Sequence, residues 1–162
     1  MMADDSPAEI RLDSPFGPLI VEEEGRAITA VRWGAHPVES AAAPVQTPLL
    51  QEAAAQIGAY FEGRLQRFDL PLAPQGSAFQ LRLYDELKAI PYGETRRYGE
   101  LGVRLGVPGR GIGQSCGANP IQILFPCHRV LGANGLGGYS GAGGIETKVA
   151  LLRLEGAAGL LI

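Results

Sequence analysis

Cysteine and histidine are scarce in this 162-residue chain, with two of each: Cys116, Cys127, His36 and His128. Four such ligands without C-x-x-C or H-x-x-x-H spacing exclude a zinc site of the usual kind, and no metal or cofactor is expected. Two cysteines do not make a disulfide scaffold. No run approaches the ~18 apolar residues of a membrane span, so no membrane association is expected. The N-terminal stretch MMADDSPAEI is acidic and lacks the apolar centre of a secretory signal, so the expected location is the cytoplasm.

Glycine, by contrast, is abundant at 23 residues, beside 12 prolines. Glycine averages about 7% of an ordinary chain, and this excess excludes a coiled coil or long-helix protein. Fifteen of the glycines fall between residues 93 and 144, where they let backbone approach something closely. The charge is uneven as well. Residues 1–75 hold five Arg against eleven acids, whereas residues 76–162 hold nine Lys and Arg against six. Within 96–129 there are five Arg and one Glu, an anion-facing surface on an otherwise acidic protein or an ordinary scatter of surface charge.

Residues 9–33 read as antiparallel strands with turns at Pro15–Gly17 and Gly25. A helix is expected from Thr47, with Pro48 at its first position and Leu49, Ala53, Ile57 and Phe61 on one face. The stretch RFDLPLAPQG reads as a linker, which divides the chain into lobes 1–75 and 76–162. The second lobe opens with a helix capped at Ser77 that carries Phe79, Leu83, Tyr84 and Leu87. A shorter helix places Tyr98, Leu101 and Leu105 inward, and Gly106–Gly109 turn the chain into the small-residue segment GRGIGQSCGANP. Two short helices joined by such a turn fit a helix-turn-helix, as do many helical hairpins that bind nothing. The last helix runs from Ile145 to about Glu155, with Val149 and Leu152 facing in. The expected fold class is α+β: a small sheet-and-helix lobe, then an α-helical lobe.

The chemistry points to the run IQILFPCHRV. A thiol becomes a nucleophile as thiolate, which neighbouring basic groups promote, although most cysteines are inert core residues. Cys127 is followed by His128 and Arg129, but adjacent residues on extended chain point to opposite faces, so a water is expected between thiol and imidazole. His128 needs an orienting acid, and Glu155 is the candidate. Cys116, among Gly, Ser and Ala, is expected to pack. The Gly-rich stretch 132–144 has neither a G-x-G-x-x-G nor a Walker pattern, which excludes nucleoside triphosphate binding.

The segment IPYGETRRYGELGVRLGVPGRGIGQSCGANPIQILFPCHRVLGANGLGGYSG, with KVALLRLEG after it, resembles the O6-alkylguanine-DNA alkyltransferase family over residues 77–156. The N-terminal lobe is similar in layout, a ribonuclease-H-like arrangement. The resemblance implies that Cys127 accepts the alkyl group of O6-alkylguanine, with O4-alkylthymine a further substrate, in an irreversible single-turnover reaction on a flipped-out base. His128 would take the thiol proton through a water, with Glu155 holding the imidazole. Asn119 would be the hinge between recognition helix and active-site turn. Tyr98 and Ser140 would donate to the leaving guanine, Tyr139 would line the pocket, and the carbonyls of Cys127 and Val130 would accept from the exocyclic amine.

Arg110 would fill the vacated stack, with Gly113, Ser115 and Gly117 beside it where the helix meets the minor groove, and Arg129 would belong to the basic DNA-facing segment. The implied partner is double-stranded DNA containing O6-alkylguanine, bound by a monomer. Departures from the family pattern are a longer Tyr139–Glu155 stretch, Gln122 where several members have Pro, and Gly117 where some have Arg. A competing reading is a sensor module that binds alkylated DNA without chemistry. A Cys/His hydrolase would need an oxyanion hole for which no motif is present. His36 reads as a surface loop residue.

Overall fold

The computed structural model describes residues 7–34, 47–133, 135–139 and 144–157. Three strands, β1 (Ala8–Leu12), β2 (Leu19–Glu24) and β3 (Ala27–Trp33), form an antiparallel sheet in the order β1-β2-β3. Alternation puts Leu19, Val21, Ile28 and Val31 in the core. The β2–β3 connection is tight because Gly25 and Arg26 both take positive φ, 62° and 66°, as a type I′ hairpin turn requires. His36, in the segment 35–46, lies outside the described residues.

Helix α1 (Pro48–Phe61) starts where expected: Thr47 caps it by accepting from the Leu50 amide, and Pro48 occupies the first turn. Its buried face is Leu50, Ala53, Ile57 and Tyr60. The expected Leu49 and Phe61 lie on the edges of that stripe, one residue off its centre. The Tyr60 hydroxyl therefore points into the protein.

The expected linker is not free chain. Ile28 N donates to Pro71 O (2.8 Å) and Ala73 N to Ile28 O (2.9 Å), so residues 71–73 lie against β3. The same strand takes up the chain ahead of the candidate thiol. Val31 N donates to Pro120 O (3.0 Å), and Gln122 N donates to Val31 O (2.9 Å). One strand of the N-terminal lobe thus fixes the approach to Cys127.

Helix α2 (Ala78–Lys88) has a capping box, Ser77 with Gln80. The pair α3 (Tyr98–Leu105) and α4 (Gly109–Gly117) forms the helix-turn-helix, with Gly106 left-handed at φ 75° in the turn. Two-residue strands β4 (Arg96–Arg97) and β5 (Val130–Leu131) pair in parallel, and helix α5 (Ile145–Leu154) closes the fold. The α+β architecture has two lobes sharing one continuous core. Tyr84 and Phe125 stack at 5.0 Å within it, and fully buried Ile57, Leu83, Ile112 and Leu151 belong to the same cluster. Burying each such aliphatic side chain contributes roughly 1.5–3 kcal/mol. On α5 the buried face is Thr147, Lys148, Leu151 and Leu152; Val149 is only half-buried.

Candidate active site

Cys127 opens a single 3-10 turn, Cys127–Arg129, behind a distorted segment. Ile123 has φ 71°, and Leu124 N donates to Gln122 O (2.7 Å), a γ-turn of the strained hand at a buried β-branched residue. Asn119 holds the segment together. Its Nδ2 donates to Phe125 O (2.8 Å) and to the Cys127 sulfur (3.4 Å), while its Oδ1 accepts from Ile121 N (3.0 Å). The amide of Gln122 is oriented by its Nε2 bond to Asn119 O (3.0 Å), which leaves Oε1 to accept from the thiol at 3.6 Å.

The thiol is 4% exposed. Burial pushes Cys127 up from its ordinary value, opposed by the Asn119 bond and the charge of Lys148. At neutral pH the resting group is therefore the thiol, and reaction requires a base. His128 is fully buried, which lowers its pKa, with the Glu155 bond and charge opposing. It rests as a neutral imidazole. Its Nε2 is 2.7 Å from Glu155 Oε2. Burial raises Glu155, but the bonds from His128 and Arg129 and the charge of Arg129 outweigh it and bring the carboxyl down to about 2. Beside an anionic carboxylate, Nε2 carries the proton. Nδ1, which has no hydrogen-bond partner among the described residues, is the basic nitrogen.

Arg129 is not on the surface. It is 7% exposed, with Nε and Nη2 on the Glu155 carboxylate (2.8 and 3.0 Å) and Nη1 on Ile90 O (2.6 Å). The expectation that it faces DNA is overturned: a buried guanidinium is kept where a carboxylate pairs it. Tyr60 adds a further donor to the same carboxylate, 2.6 Å from Oε2.

In front of the sulfur opens a cleft of about 700 Å³ whose walls include Tyr98, Arg110, Gly113, Gly117 and Tyr139, with Cys127 at its floor and Cys116 beside it. Cys116 is buried, which pushes it up to about 12, so it packs and does not compete as a nucleophile. Arg110 is exposed and makes no ion pair among the described residues. Ser115 is half-buried and does not line the cleft; Gln114 does. The Tyr98 hydroxyl is 3.5 Å from Gly138 O, and burial pushes the phenol up to about 12, so it stays a donor. Tyr139 Oη accepts from Trp33 Nε1 (3.4 Å), a second link from β3 to the site. The Val130 carbonyl accepts from Lys148 Nζ, and the Cys127 carbonyl accepts from the Val130 amide, so each expected base acceptor already carries one bond. Ser140 lies outside the described residues.

Three contributors escaped the sequence reading. Lys148 is fully buried, which lowers its pKa to about 8, and it bonds Val130 O (2.6 Å) and Gly138 O (3.0 Å). Its place one turn before Leu151 and Leu152, on the buried stripe of α5, was the available signal. Tyr60 could have been found the same way from Ala53 and Ile57. The role of Gln122 at the sulfur had no such signal. Among the described residues, no cluster of three or more His, Cys, Asp or Glu could hold a metal. No helix among them is long and apolar enough to cross a membrane.

A cysteine thiol at the floor of a cleft beside a helix-turn-helix, with a paired imidazole next to it in the chain, marks a class of proteins that react through that cysteine at their recognition surface. Comparison with known proteins narrows the class. Residues 78–157 match the family described as 6-O-methylguanine DNA methyltransferase, DNA binding domain, and residues 10–74 match 6-O-methylguanine DNA methyltransferase, ribonuclease-like domain. A methylated-DNA--protein-cysteine methyltransferase of Methanosarcina acetivorans is 44% identical over 150 residues, 89% of this chain and 95% of that one. The protein of the same name from Mycobacterium bovis is 44% identical over 153 residues, 89% of each chain. The crystal structure of the Mycobacterium tuberculosis O6-methylguanine methyltransferase superposes with a TM-score of 0.81 at 39% identity, covering 97% of both chains. A structure from that organism titled as OGT in complex with DNA superposes at 0.79 with 44% identity, covering 90% of this chain and 91% of that one. The chain belongs to the 6-O-methylguanine DNA methyltransferase family.

Proposed function

We propose that this chain repairs DNA by moving the alkyl group of O6-alkylguanine onto its own Cys127. The observation that carries this reading is the position of the Cys127 sulfur, at the floor of the cleft and bonded by Asn119, next to the His128–Glu155 pair. His128 Nδ1 takes the thiol proton through a water. The thiolate attacks the alkyl carbon in line with the C–O6 bond. A carbon–sulfur bond forms, the C–O6 pair moves onto guanine, and the base leaves as the oxyanion form and is reprotonated. The thioether has no easy reverse path, so each molecule reacts once.

Charge builds on the leaving base, and Tyr98 supplies a donor whose bond strengthens as it does. O6 of a stacked base cannot reach the floor of a cleft, so the nucleotide is flipped out, which costs a few kcal/mol. Arg110, exposed at the mouth, fills the gap it leaves. Gly113 and Gly117 let α4 lie in a minor groove, where little sequence is read and little needs to be. The active form is a monomer acting on double-stranded DNA, with residues 1–75 as a supporting lobe and 76–162 as the DNA-binding and acceptor lobe.

The test is intact-protein mass after incubation with duplex DNA carrying one O6-methylguanine, followed by peptide mapping. One methyl on Cys127, saturating at one per protein, is expected. Binding to the lesion with no mass gain would overturn the transferase and leave the sensor reading.

A further inference from the structure

The Glu155 carboxylate has more donors than a histidine-orienting acid requires. Oε2 alone faces three: His128 Nε2 at 2.7 Å, Arg129 Nη2 at 3.0 Å and the Tyr60 hydroxyl at 2.6 Å. Tyr60 is 95 residues away in sequence and sits on α1 of the N-terminal lobe. It is fully buried, and its ring is held edge-on or tilted by Phe61, Phe68 and Tyr92 at 5.4, 5.4 and 6.3 Å. Burial and the neighbouring carboxylate hold the phenol well above its ordinary pKa, so it donates over the whole working range.

We propose that Tyr60 is a positioning residue for alkyl transfer: its hydroxyl fixes the Glu155 carboxylate and shares the charge on Oε2, and so sets how strongly His128 holds a proton. This rests on the transferase reading above. A carboxylate oxygen that accepts an extra short bond is a weaker acceptor for the imidazole N–H. Removing the hydroxyl leaves Glu155 more basic and less firmly placed. The more basic carboxylate stabilises the imidazolium, so the neutral His128 that accepts the thiol proton is reached only at higher pH. The looser carboxylate lowers the maximal rate. The other groups facing the pair are Arg129 from the 3-10 turn, Tyr92 from the loop before β4 and Lys148 from α5, and all remain unchanged in a Tyr60 variant.

The experiment measures the methyl-transfer rate from duplex O6-methylguanine DNA against pH for wild type, Tyr60→Phe, Tyr92→Phe, Glu155→Gln and the Tyr60→Phe/Glu155→Gln double variant. Tyr60→Phe is expected to lower the plateau about 3- to 10-fold and to move the acid limb up by roughly half a pH unit or more, with duplex affinity unchanged. Tyr92→Phe is the control, because its hydroxyl bonds Leu154 O (3.1 Å) and not the carboxylate; it should leave the limb in place. With Glu155→Gln already present, Tyr60→Phe should move nothing further. A Tyr60→Phe limb that coincides with wild type, or moves downward, overturns the role whatever the plateau does, and so does an equal shift in Tyr92→Phe. A wild-type chain that gains no methyl overturns the transferase reading instead, and this role with it.

Discussion

Lys148 Nζ lies 2.6 Å from the carbonyl oxygen of Val130 and 3.0 Å from that of Gly138, so one side chain of α5 ties buried β5 to the Gly138 wall of the cleft. The ammonium also sits 5.6 Å from the centroid of the Tyr98 ring. Burial lowers Lys148 to about 8, and the neutral amine still has two N–H groups for two carbonyls, so the tie outlasts the charge. Lys148→Met keeps the length and removes every donor. Reaction of Cys127 with free O6-benzylguanine should slow at least about tenfold, since a misplaced site costs that much or more. Amide hydrogens of residues 131–139 should exchange faster in the same variant. A normal rate with unchanged exchange would remove Lys148 from the site.

Local structure was largely legible in the sequence because caps and turns are local. Thr47 with Pro48, Ser77 with Gln80, and Gly25 and Gly106 each mark a boundary through short-range chemistry. Asn119 bonds the Cys127 sulfur, and His128 pairs with Glu155. What stayed hidden depends on contacts distant in sequence. Arg129 reads as surface charge until Glu155 is seen against it, and Tyr60, next to the expected Phe61 on α1, has no legible role until its hydroxyl is found on that carboxylate. Lys148 breaks the habit that lysines stay wet, and only the carbonyls of another segment explain it. The pairing of β3 with residues 120–122 likewise has no signature in either stretch alone.

Acid should unfold this protein through the buried carboxylate network. Glu155 falls from an ordinary 4.5 to about 2 on folding, so the unfolded chain binds its proton first. Its contribution is fully present above about pH 4.5 and is lost as pH falls through 4.5 towards 2. His128, lowered from 6.5, adds to the same trend from about pH 6.5 downward. Glu155→Gln leaves Arg129 buried without its anion and should cost ~3–5 kcal/mol at pH 7. Urea midpoints across pH 2–7 check this. The gap between wild type and variant should narrow as pH falls below 4.5, and a gap that stays constant would mean Glu155 is not the titrating group.

If the proposed base flipping holds, Arg110 should separate the handling of DNA from the chemistry at sulfur. It stands exposed at the cleft mouth, away from the Cys127–His128–Glu155 group. Arg110→Ala should slow transfer from duplex O6-methylguanine by about tenfold or more, since flipping a base costs a few kcal/mol and, in the proposed mechanism, the side chain would offset part of it. Reaction with free O6-benzylguanine, which needs no flipping, should stay within about twofold of wild type. Equal losses on both substrates would place Arg110 in the chemistry and remove it from flipping.

Two glycines of the helix-turn-helix predict opposite outcomes for the same substitution. A Cβ on Gly102 would stand 2.4 Å from the Val107 carbonyl oxygen, a backbone atom of the turn that joins α3 to α4. Gly102→Ala must push the two helices apart. A loss of ~2 kcal/mol, seen as a Tm lower by roughly 4–8 °C, is expected, together with weaker duplex binding. A Cβ on Gly113 would meet only the Tyr98 ring, at 4.0 Å, which is ordinary contact. Inside a helix, alanine is favoured over glycine by roughly 0.5–1 kcal/mol, so Gly113→Ala should melt at or above the wild-type temperature. Yet Gly113 lines the cleft one turn from Arg110, where in the proposed complex an added methyl would meet the groove floor. Its duplex affinity should fall several-fold while reaction with O6-benzylguanine is kept. Wild-type affinity in Gly113→Ala would show that this face of α4 does not seat the duplex, and the DNA would then have to approach the cleft from its Tyr139 side.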